Sequence, residues 1–383
     1  MKATLLLCGA LIALCATAQT PAPGSAPSDA PAQASAPAAP ATPPADPPKY
    51  DGWVFTGMAD GYITLNSNHP VSNSNQLQNF DINWGQPELS MAMFTVDKSD
   101  KVLGIHVDAG LGETFRLIHA TDDQPKGFRY IKQMYVILKP THMHGAEFDF
   151  GEFVTSAGAE VIESYSNWNY SRSLLFAWAI PYYHFGLRAS VPVTKTLTVG
   201  VQVVNAWNNL WGNNTMKNVG LTAAYTKPKY SLSTDYYVGP NHMGTTEGKR
   251  NLFDTTLTLL PTSKASFYIN YDYARDNNAI GGGHSSWYGI AGAARYQLTK
   301  RFAVAGRAEW FDDANGFSTR TVQKLKEGTI TGEYKYNDHL IARLEFRHDS
   351  SDQPFFDRGA QLAASKGLST GTLGLVYVLG PLK

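Results

Sequence analysis

Two short motifs in the chain have residue types and spacing that could bind a metal ion. The His-Met-His stretch at 142–144 has the spacing of a metal-binding pair, and Asp-Asp-Ala-Asn-Gly at 312–316 resembles part of a calcium loop. The histidine pair has no third ligand nearby in sequence, and the second stretch lacks the later glutamate that a calcium loop uses. The chain holds ten histidines and several serines, but no nucleophile motif. We therefore predict no enzyme activity, no catalytic residue, no metal site and no cofactor.

A third group of side chains lies in the segment 153–181, which reads FVTSAGAEVIESYSNWNYSRSLLFAWAIP. The segment is long for a loop and follows no alternation of polar and apolar residues. Its charged and aromatic members are Glu160, Glu163, Trp168, Tyr170 and Arg172. Such side chains can present charge to an ion and a flat surface to a polar solute. Their task depends on the elements that position them.

The start of the chain has the pattern of an exported protein. Lys2, the apolar run from Leu5 to Leu14 and the Ala-Thr-Ala pattern at 16–18 predict a signal peptide over residues 1–18. Both cysteines lie inside it, so we expect no disulfide framework after its removal. Residues 19–49 are almost entirely Pro, Ala, Ser and Thr, which predicts a disordered tether. Residues 50–383 show no comparable break, which predicts a single domain. The formal net charge is zero and no basic stripe is present, so nucleic acid is excluded as a partner.

Apolar and polar residues alternate with a period of two along this domain, which is typical of β-strands. At 339–347, for example, one face carries Leu340, Leu344 and Phe346, and the other carries Arg343, Glu345 and Arg347. Seven tight turns alternate with eight longer loops, which divides the domain into sixteen strands. The predicted strands are 53–66, 86–97, 101–113, 128–139, 142–152, 182–192, 197–206, 216–227, 229–239, 251–261, 265–275, 285–299, 301–311, 323–336, 338–348 and 368–380.

We therefore predict an all-β fold, a transmembrane antiparallel β-barrel of about sixteen strands. A strand-built span must close on itself, because lipid cannot satisfy unpaired backbone groups. Soluble β-sandwiches also alternate, but they bury their apolar face in a core. Here aromatic residues near strand ends, such as Tyr130, Tyr182, Trp287 and Trp310, suit the two membrane interfaces instead.

The polar face of such a barrel surrounds a lumen, and one of about sixteen strands leaves an aqueous channel. The predicted lining residues are Glu147, Asp149, Arg188, Arg295, Arg307, Glu309, Arg343, Glu345 and Arg347. The segment 153–181 is then the third long loop. Its many large apolar groups would be an aggregation hazard on the outside, so we predict that it folds inward and narrows the pore. An outward cap is the alternative.

Three stretches give the chain a resemblance to a known family. The first is residues 158–188, which contain GAEVIES, NWNYSRSLLF and WAIP. The other two are VNAWNN at 204–209 and LGLVYVLG at 373–380. The chain resembles the OmpL-like β-barrel porin family of Gram-negative outer membranes over nearly all of its length after the tether. The resemblance implies an outer-membrane pore and leaves the solute open.

Two functions follow from this interpretation. The first is a porin that forms a water-filled channel for passive diffusion of ions and small polar solutes. The alternative is an outer-membrane barrel whose long outer loops bind a partner, as an adhesin does. The expected partners are outer-membrane lipid, the barrel-insertion machinery, small polar solutes or ions, and further copies of the chain in a homo-oligomer such as a trimer.

Overall fold

The structure is a computed structural model that describes residues 49–50, 52–122, 127–277 and 283–379. The predicted signal peptide over 1–18 lies outside the described residues, and so does the tether over 19–49 except for its last residue. Within the described part, the predicted single domain is a barrel built from strands.

Sixteen strands of the described chain form one closed antiparallel barrel, in which each strand pairs with the next. They are β1 (Trp53–Asn66), β2 (Pro87–Ser99), β3 (Leu103–Leu111), β4 (Ile131–Leu138), β5 (Glu147–Val154), β6 (Tyr183–Pro192), β7 (Leu197–Val204), β8 (Asn218–Lys227), β9 (Tyr230–Gly239), β10 (Arg250–Leu259), β11 (Ala265–Asn277), β12 (His284–Gln297), β13 (Phe302–Asp313), β14 (Gln323–Lys335), β15 (Leu340–Ser351) and β16 (Gly367–Leu379). The last strand, β16, pairs with β1 and closes the ring. The predicted fold class and strand number are confirmed.

Alternation along each strand separates an outer face from an inner face. In β15, Leu344 and Phe346 are 65% and 53% exposed, whereas Arg343 and Arg347 are each 1% exposed. The apolar outer face meets lipid, and the polar inner face points toward the barrel axis. Closure of the ring leaves the barrel wall with no unpaired strand edge.

Connections at one end of the barrel are short, and those at the other end are long. The long loops used below are L1 (67–86), L2 (112–130), L3 (155–182), L4 (205–217), L7 (314–322) and L8 (352–366). A small hairpin, Phe356–Arg358 against Gln361–Ser365, lies inside L8, and a two-residue strand, Lys49–Tyr50, pairs with the start of β1.

Four short helical segments of the described residues lie in the long loops. They are α1 (Glu113–Ile118) in L2, α2 (Leu174–Trp178) in L3, and the 3-10 turns Phe128–Tyr130 and Ser164–Ser166. The predicted strand 101–113 therefore ends early, at Leu111. Gly112 turns the chain there with φ +120°, and a Cβ atom on it would lie 2.5 Å from the Ser90 carbonyl oxygen, so only glycine fits. No helix in the described chain is both long and apolar enough to cross a membrane.

A β-bulge in β4 changes which side chains face the lumen. Asp108 in β3 pairs with Gln133, but the next residue, Ala109, pairs with Ile131 and skips Lys132. The extra residue turns Lys132 and Gln133 together toward the inner face, where both are buried. This places a lysine beside Asp108, a contact that strict alternation does not predict.

Two of the aromatic residues that were predicted at the membrane interfaces lie elsewhere. Trp287 is on the inner face of β12, where it is 2% exposed and stacks on Phe317 at 4.6 Å between ring centroids. Tyr182, in L3, is buried and donates a hydrogen bond to the Ala177 carbonyl oxygen. Trp310 and Tyr130 lie on the outer surface, and their position at a membrane interface stays a prediction. Loop packing explains the difference, because L3 and L7 provide partners for Trp287.

Candidate functional site

L3 has an internal framework that keeps an irregular segment in one conformation. The Ser173 hydroxyl accepts a hydrogen bond from the Phe176 amide at 3.0 Å and caps the start of α2. Asn167 accepts from the Val161 amide and donates to the Val161 carbonyl, at 2.9 and 2.7 Å. Because backbone groups without partners are costly when buried, these side chains stabilise the loop in place of a regular ladder.

Apolar side chains of L3 are buried against the inner face and against L1. Leu174 and Leu175 are fully buried, and Phe176 is 2% exposed. Their neighbours in the same cluster include Phe80 of L1 and Trp287 of β12. Burying one such side chain contributes roughly 1.5–3 kcal/mol, so these three groups are a large part of what holds L3 in place.

Two carboxylates of the barrel wall accept hydrogen bonds from the backbone of L3. Glu345 on β15 accepts from the amides of Tyr170 and Ser171 at 2.6 and 3.0 Å. Glu309 on β13 accepts from the amides of Leu174 and Leu175 at 3.0 and 3.2 Å. Leu174 and Leu175 are the first residues of α2, and the amides in the first turn of a helix have no hydrogen-bond partner within the helix.

Three arginines of the same wall donate to carbonyl groups of L3. Arg343 donates to the carbonyls of Asn167 and Asn169 at 2.7 and 3.3 Å, and it also contacts that of Ser164. Arg347 donates to the Arg172 carbonyl at 2.7 Å, and Arg307 donates to the Ser171 carbonyl at 2.9 Å. The wall thus supplies both the acceptors and the donors that the irregular backbone of L3 needs.

Close contact between L3 and the wall also requires glycine at one position of β16. A Cβ atom on Gly374 would lie 2.3 Å from the Tyr170 ring, a distance that real side chains do not tolerate. We expect Gly374→Ala to displace L3 and to lower the free energy of unfolding by about 1–3 kcal/mol. Thermal unfolding in detergent measures this loss. Gly371→Ala on the outer face of the same strand is the control, because its Cβ meets nothing within 4 Å. Equal stability of the two variants would contradict the role of Gly374.

Four of the five predicted constriction residues are held inside the packed body of L3. Glu160 pairs with Arg307 at 2.8 Å, and Trp168 packs on Tyr268 with ring centroids 5.0 Å apart. The Tyr170 hydroxyl donates to Asp60 at 2.8 Å. Arg172 donates to the Tyr170 carbonyl at 2.7 Å and lies over the Phe80 ring. The fifth residue, Glu163, keeps 14% side-chain exposure and pairs with Lys132 of β4.

The nine predicted lining residues fall into two groups. Five are buried beneath L3: Arg307, Glu309, Arg343, Glu345 and Arg347. The other four lie away from it: Glu147, Asp149, Arg188 and Arg295. Among these, Arg188 pairs with Asp149 at 2.7 Å and Arg295 pairs with Glu333 at 3.0 Å. Their lining role stays a prediction.

A charged cluster joins Glu163 of L3 to four residues of β2, β3 and β4 that the sequence did not single out. We call it the wall cluster, and its members are Asp97, His106, Asp108, Lys132 and Glu163. Alternation in LGIHVDAGL at 103–111 places His106 and Asp108 on one face, so the sequence carried a signal for part of it. The contribution of Lys132 depends on the bulge in β4.

Asp81 of L1 is buried without a hydrogen-bond partner among the described residues for either carboxylate oxygen. Burial raises the pKa of Asp81 to about 7, while the positive charges of Arg347 and Arg172 act against that rise. L1 therefore contains a carboxyl group that titrates near neutral pH.

The two metal-like motifs hold no cluster of ligands. Asp313 accepts from the Phe317 and Thr319 amides at 2.8 and 2.6 Å, so its carboxylate closes the turn of L7. The 142–144 stretch lies in the connection between β4 and β5. Among the described residues, no group of three His, Cys, Asp or Glu side chains could hold a metal ion.

Comparison with known families identifies the chain. A family model described as beta-barrel porin-2, OmpL-like, matches residues 53–377, which is most of the sequence. The chain belongs to this family of porins. It is an outer-membrane channel protein of a Gram-negative cell, and family and fold point to a channel rather than to an enzyme. Among curated protein sequences, none is similar enough to the porin to be reported as a relative.

Solved structures share the barrel fold of the porin at low sequence identity. OmpT from Vibrio cholerae in its trimer form is 14% identical, with a TM-score of 0.57 over 85% of this chain and 98% of that chain. An anion-selective porin from Comamonas acidovorans is 10% identical, with a TM-score of 0.57 over 85% and 99%. The outer membrane channel DcaP of Acinetobacter baumannii is 9% identical, with a TM-score of 0.56 over 85% and 96%. At these identities the likeness shows the fold alone.

Proposed function

We propose that the porin is a water-filled channel for passive diffusion of ions and small polar solutes, and that L3 folds into its lumen and forms the narrowest part. One observation carries the proposal. L3 contacts the inner face of strands on opposite sides of the ring, because Glu163 pairs with Lys132 of β4 and the Ala179 carbonyl accepts from Trp287 of β12 at 3.0 Å. These two strands are half the barrel apart. A segment that enters the barrel mouth can reach both strands, which supports the inward fold of L3.

Burial supports an asymmetric position of the passage. The arginines beneath L3 on β13 and β15 have side chains 0–1% exposed, whereas His106 on β3 and Arg188 on β6 have 15% and 16% exposure. The passage therefore runs between L3 and the inner face of β2 to β7. In this arrangement Glu147, Asp149 and Arg188 line the passage, whereas Arg295, on β12, lies outside this part of the wall.

The five predicted constriction residues then have two roles. Glu163 presents its carboxylate to the passage, which agrees with its partial exposure. Glu160, Trp168, Tyr170 and Arg172 set the position of L3 from within. A fixed charge at a narrow point acts through a lower effective dielectric than on an open surface, so Glu163 affects ion passage strongly.

Conductance in planar bilayers tests the proposal. We expect steady conductance steps from the purified porin. Glu163→Gln should lower the cation-to-anion permeability ratio roughly twofold, because a negative charge at the narrow point is lost. Asp312→Asn is the control, since Asp312 lies on the outer face of β13, beside Lys324. A quiet membrane would favour the alternative function, partner binding by the outer loops. Equal selectivity in both variants would place the constriction away from Glu163.

We also propose that the porin assembles as a homotrimer in the outer membrane. The trimer form of the Vibrio cholerae OmpT structure supports this expectation. Three small residues, Gly57, Ala59 and Gly61, occupy successive outward-facing positions of β1 and allow close approach of a second barrel. Conductance steps that occur in groups of three in the bilayer recording would agree with three channels per assembly, and single steps would contradict it.

A further inference from the structure

The wall cluster contains a histidine with a carboxylate at each ring nitrogen. His106 Nδ1 lies 2.6 Å from an Asp97 oxygen, and Nε2 lies 3.2 Å from an Asp108 oxygen. A neutral imidazole has one N–H donor and one lone pair, so it can donate to only one of the two carboxylates. The doubly protonated imidazolium donates to both. This geometry accommodates the charged form.

The same site also satisfies the neutral form. The Gln133 amide nitrogen lies 3.2 Å from His106 Nε2 and 2.7 Å from an Asp108 oxygen. The Gln133 oxygen accepts from the Val154 amide at 3.0 Å, which fixes the orientation of the amide group. A neutral His106 can therefore donate through Nδ1 to Asp97 and accept through Nε2 from Gln133. Each protonation state has a complete set of partners.

Loss of the proton leaves the rest of the cluster in place. Asp108 keeps Lys132 at 2.8 Å and the Thr95 hydroxyl at 2.5 Å. Tyr135 stacks on the His106 ring at 5.0 Å between centroids, and Arg188 lies over the Tyr135 ring with Asp149 as its partner. The neighbours hold the imidazole ring in either charge state, so deprotonation changes charge more than shape.

Water reaches the titrating pair. The side chain of Asp97 is 38% exposed and that of His106 is 15% exposed, while Asp108 and Lys132 are 3% and 2% exposed. With His106 protonated, three carboxylates face two cations and the cluster carries one net negative charge. With His106 neutral it carries two, and the additional field acts at the partly exposed Asp97.

We propose that His106 is a proton-controlled determinant of ion selectivity in this channel. It raises the cation preference of the passage when it loses its proton, because Asp97 then keeps its charge without a compensating imidazolium. The inference rests on the proposed function, in which the passage runs along this wall.

Reversal potentials in a KCl gradient across planar bilayers test the inference. Recordings are compared from about pH 5 to about pH 10, an interval that contains the ordinary titration range of histidine and extends well above it. We expect the cation-to-anion permeability ratio of the parent to rise roughly twofold or more toward the alkaline side. His106→Gln should hold the ratio near the alkaline value of the parent at every pH. His348→Gln is the control, since His348 is exposed on the outer face and contacts Ser369 there.

A second variant keeps the test valid if His106→Gln does not fold. Asp97→Asn removes the exposed carboxylate, and we expect it to lower cation preference on the alkaline side and to weaken the pH dependence. A parent-like pH shift in His106→Gln overturns the inference and leaves the channel itself intact. A parent that does not conduct overturns the proposed function, and the inference falls with it.

Discussion

Arg343→Ala is expected to raise the single-channel conductance of the porin roughly twofold or more, with larger current noise. The substitution removes the hydrogen bonds that hold L3 against the wall. Arg343 donates to four carbonyl groups of L3, including that of Asn167 at 2.7 Å. Net contributions of about 1.5–3 kcal/mol for a hydrogen bond to a charged group add to several kcal/mol here. Losing this much hydrogen-bond free energy means that L3 no longer keeps a single conformation. The loop then also samples positions away from the constriction.

Arg295→Ala is a matched control for this experiment. Both arginines pair with Glu333, Arg295 at 3.0 Å and Arg343 at 2.6 Å, but only Arg343 contacts L3. Either variant leaves Glu333 with one arginine partner, so the buried carboxylate is compensated in both. Recordings from planar bilayers should therefore show the increase in Arg343→Ala alone. An equal conductance in the two variants would show that L3 does not limit the current.

Asp81→Asn is expected to stabilise L1 against proteolysis above neutral pH and to have little effect in acid. The pKa of Asp81 in the folded protein is about 7, above its ordinary value of 3.8, because burial disfavours the charged carboxylate. The folded state therefore binds the proton more tightly than the unfolded state. The packing of L1 is most stable below about pH 4 and loses stability as the pH rises toward 7, by up to about 4 kcal/mol.

Limited proteolysis of L1 on both sides of this window measures the effect. Parent protein should be cleaved faster on the alkaline side, and Asp81→Asn should remove most of that difference. Asp338→Asn, in an exposed turn between β14 and β15, is the control and should behave as the parent does. If Asp81→Asn keeps the pH dependence of the parent, another group in L1 or L3 controls its packing.

L1 and L3 form one packed unit, because L1 covers the part of L3 that the wall arginines contact. Arg172 of L3 lies over the Phe80 ring of L1, and the adjacent Asp81 senses the charges of Arg172 and Arg347. Loosening of L1 at alkaline pH would expose this side of L3. We therefore expect the conductance increase in Arg343→Ala to be larger above neutral pH than below it.

Local patterns in the amino-acid sequence are sufficient to predict the barrel. Alternation with a period of two fixes which side chains share a face, and Leu344 and Arg343 lie on the faces that this rule assigns. Short and long connections fix the order of strands, since antiparallel neighbours follow one another along the chain. The large apolar groups of the third long loop also predicted burial, and Phe176 and Ile180 are buried. These properties depend only on residues close together in sequence.

The pairing of the charged residues depends on the tertiary structure. Glu160 and Arg307 are far apart in sequence, and their 2.8 Å pair exists because L3 rests on β13. Trp287 lies on the inner face, where L3 and L7 supply its partners. Lys132 joins Asp108 through a bulge that breaks the alternation in β4. Periodicity gives the face of a residue, but the partner across the lumen depends on strand register and loop path, which a local pattern does not encode.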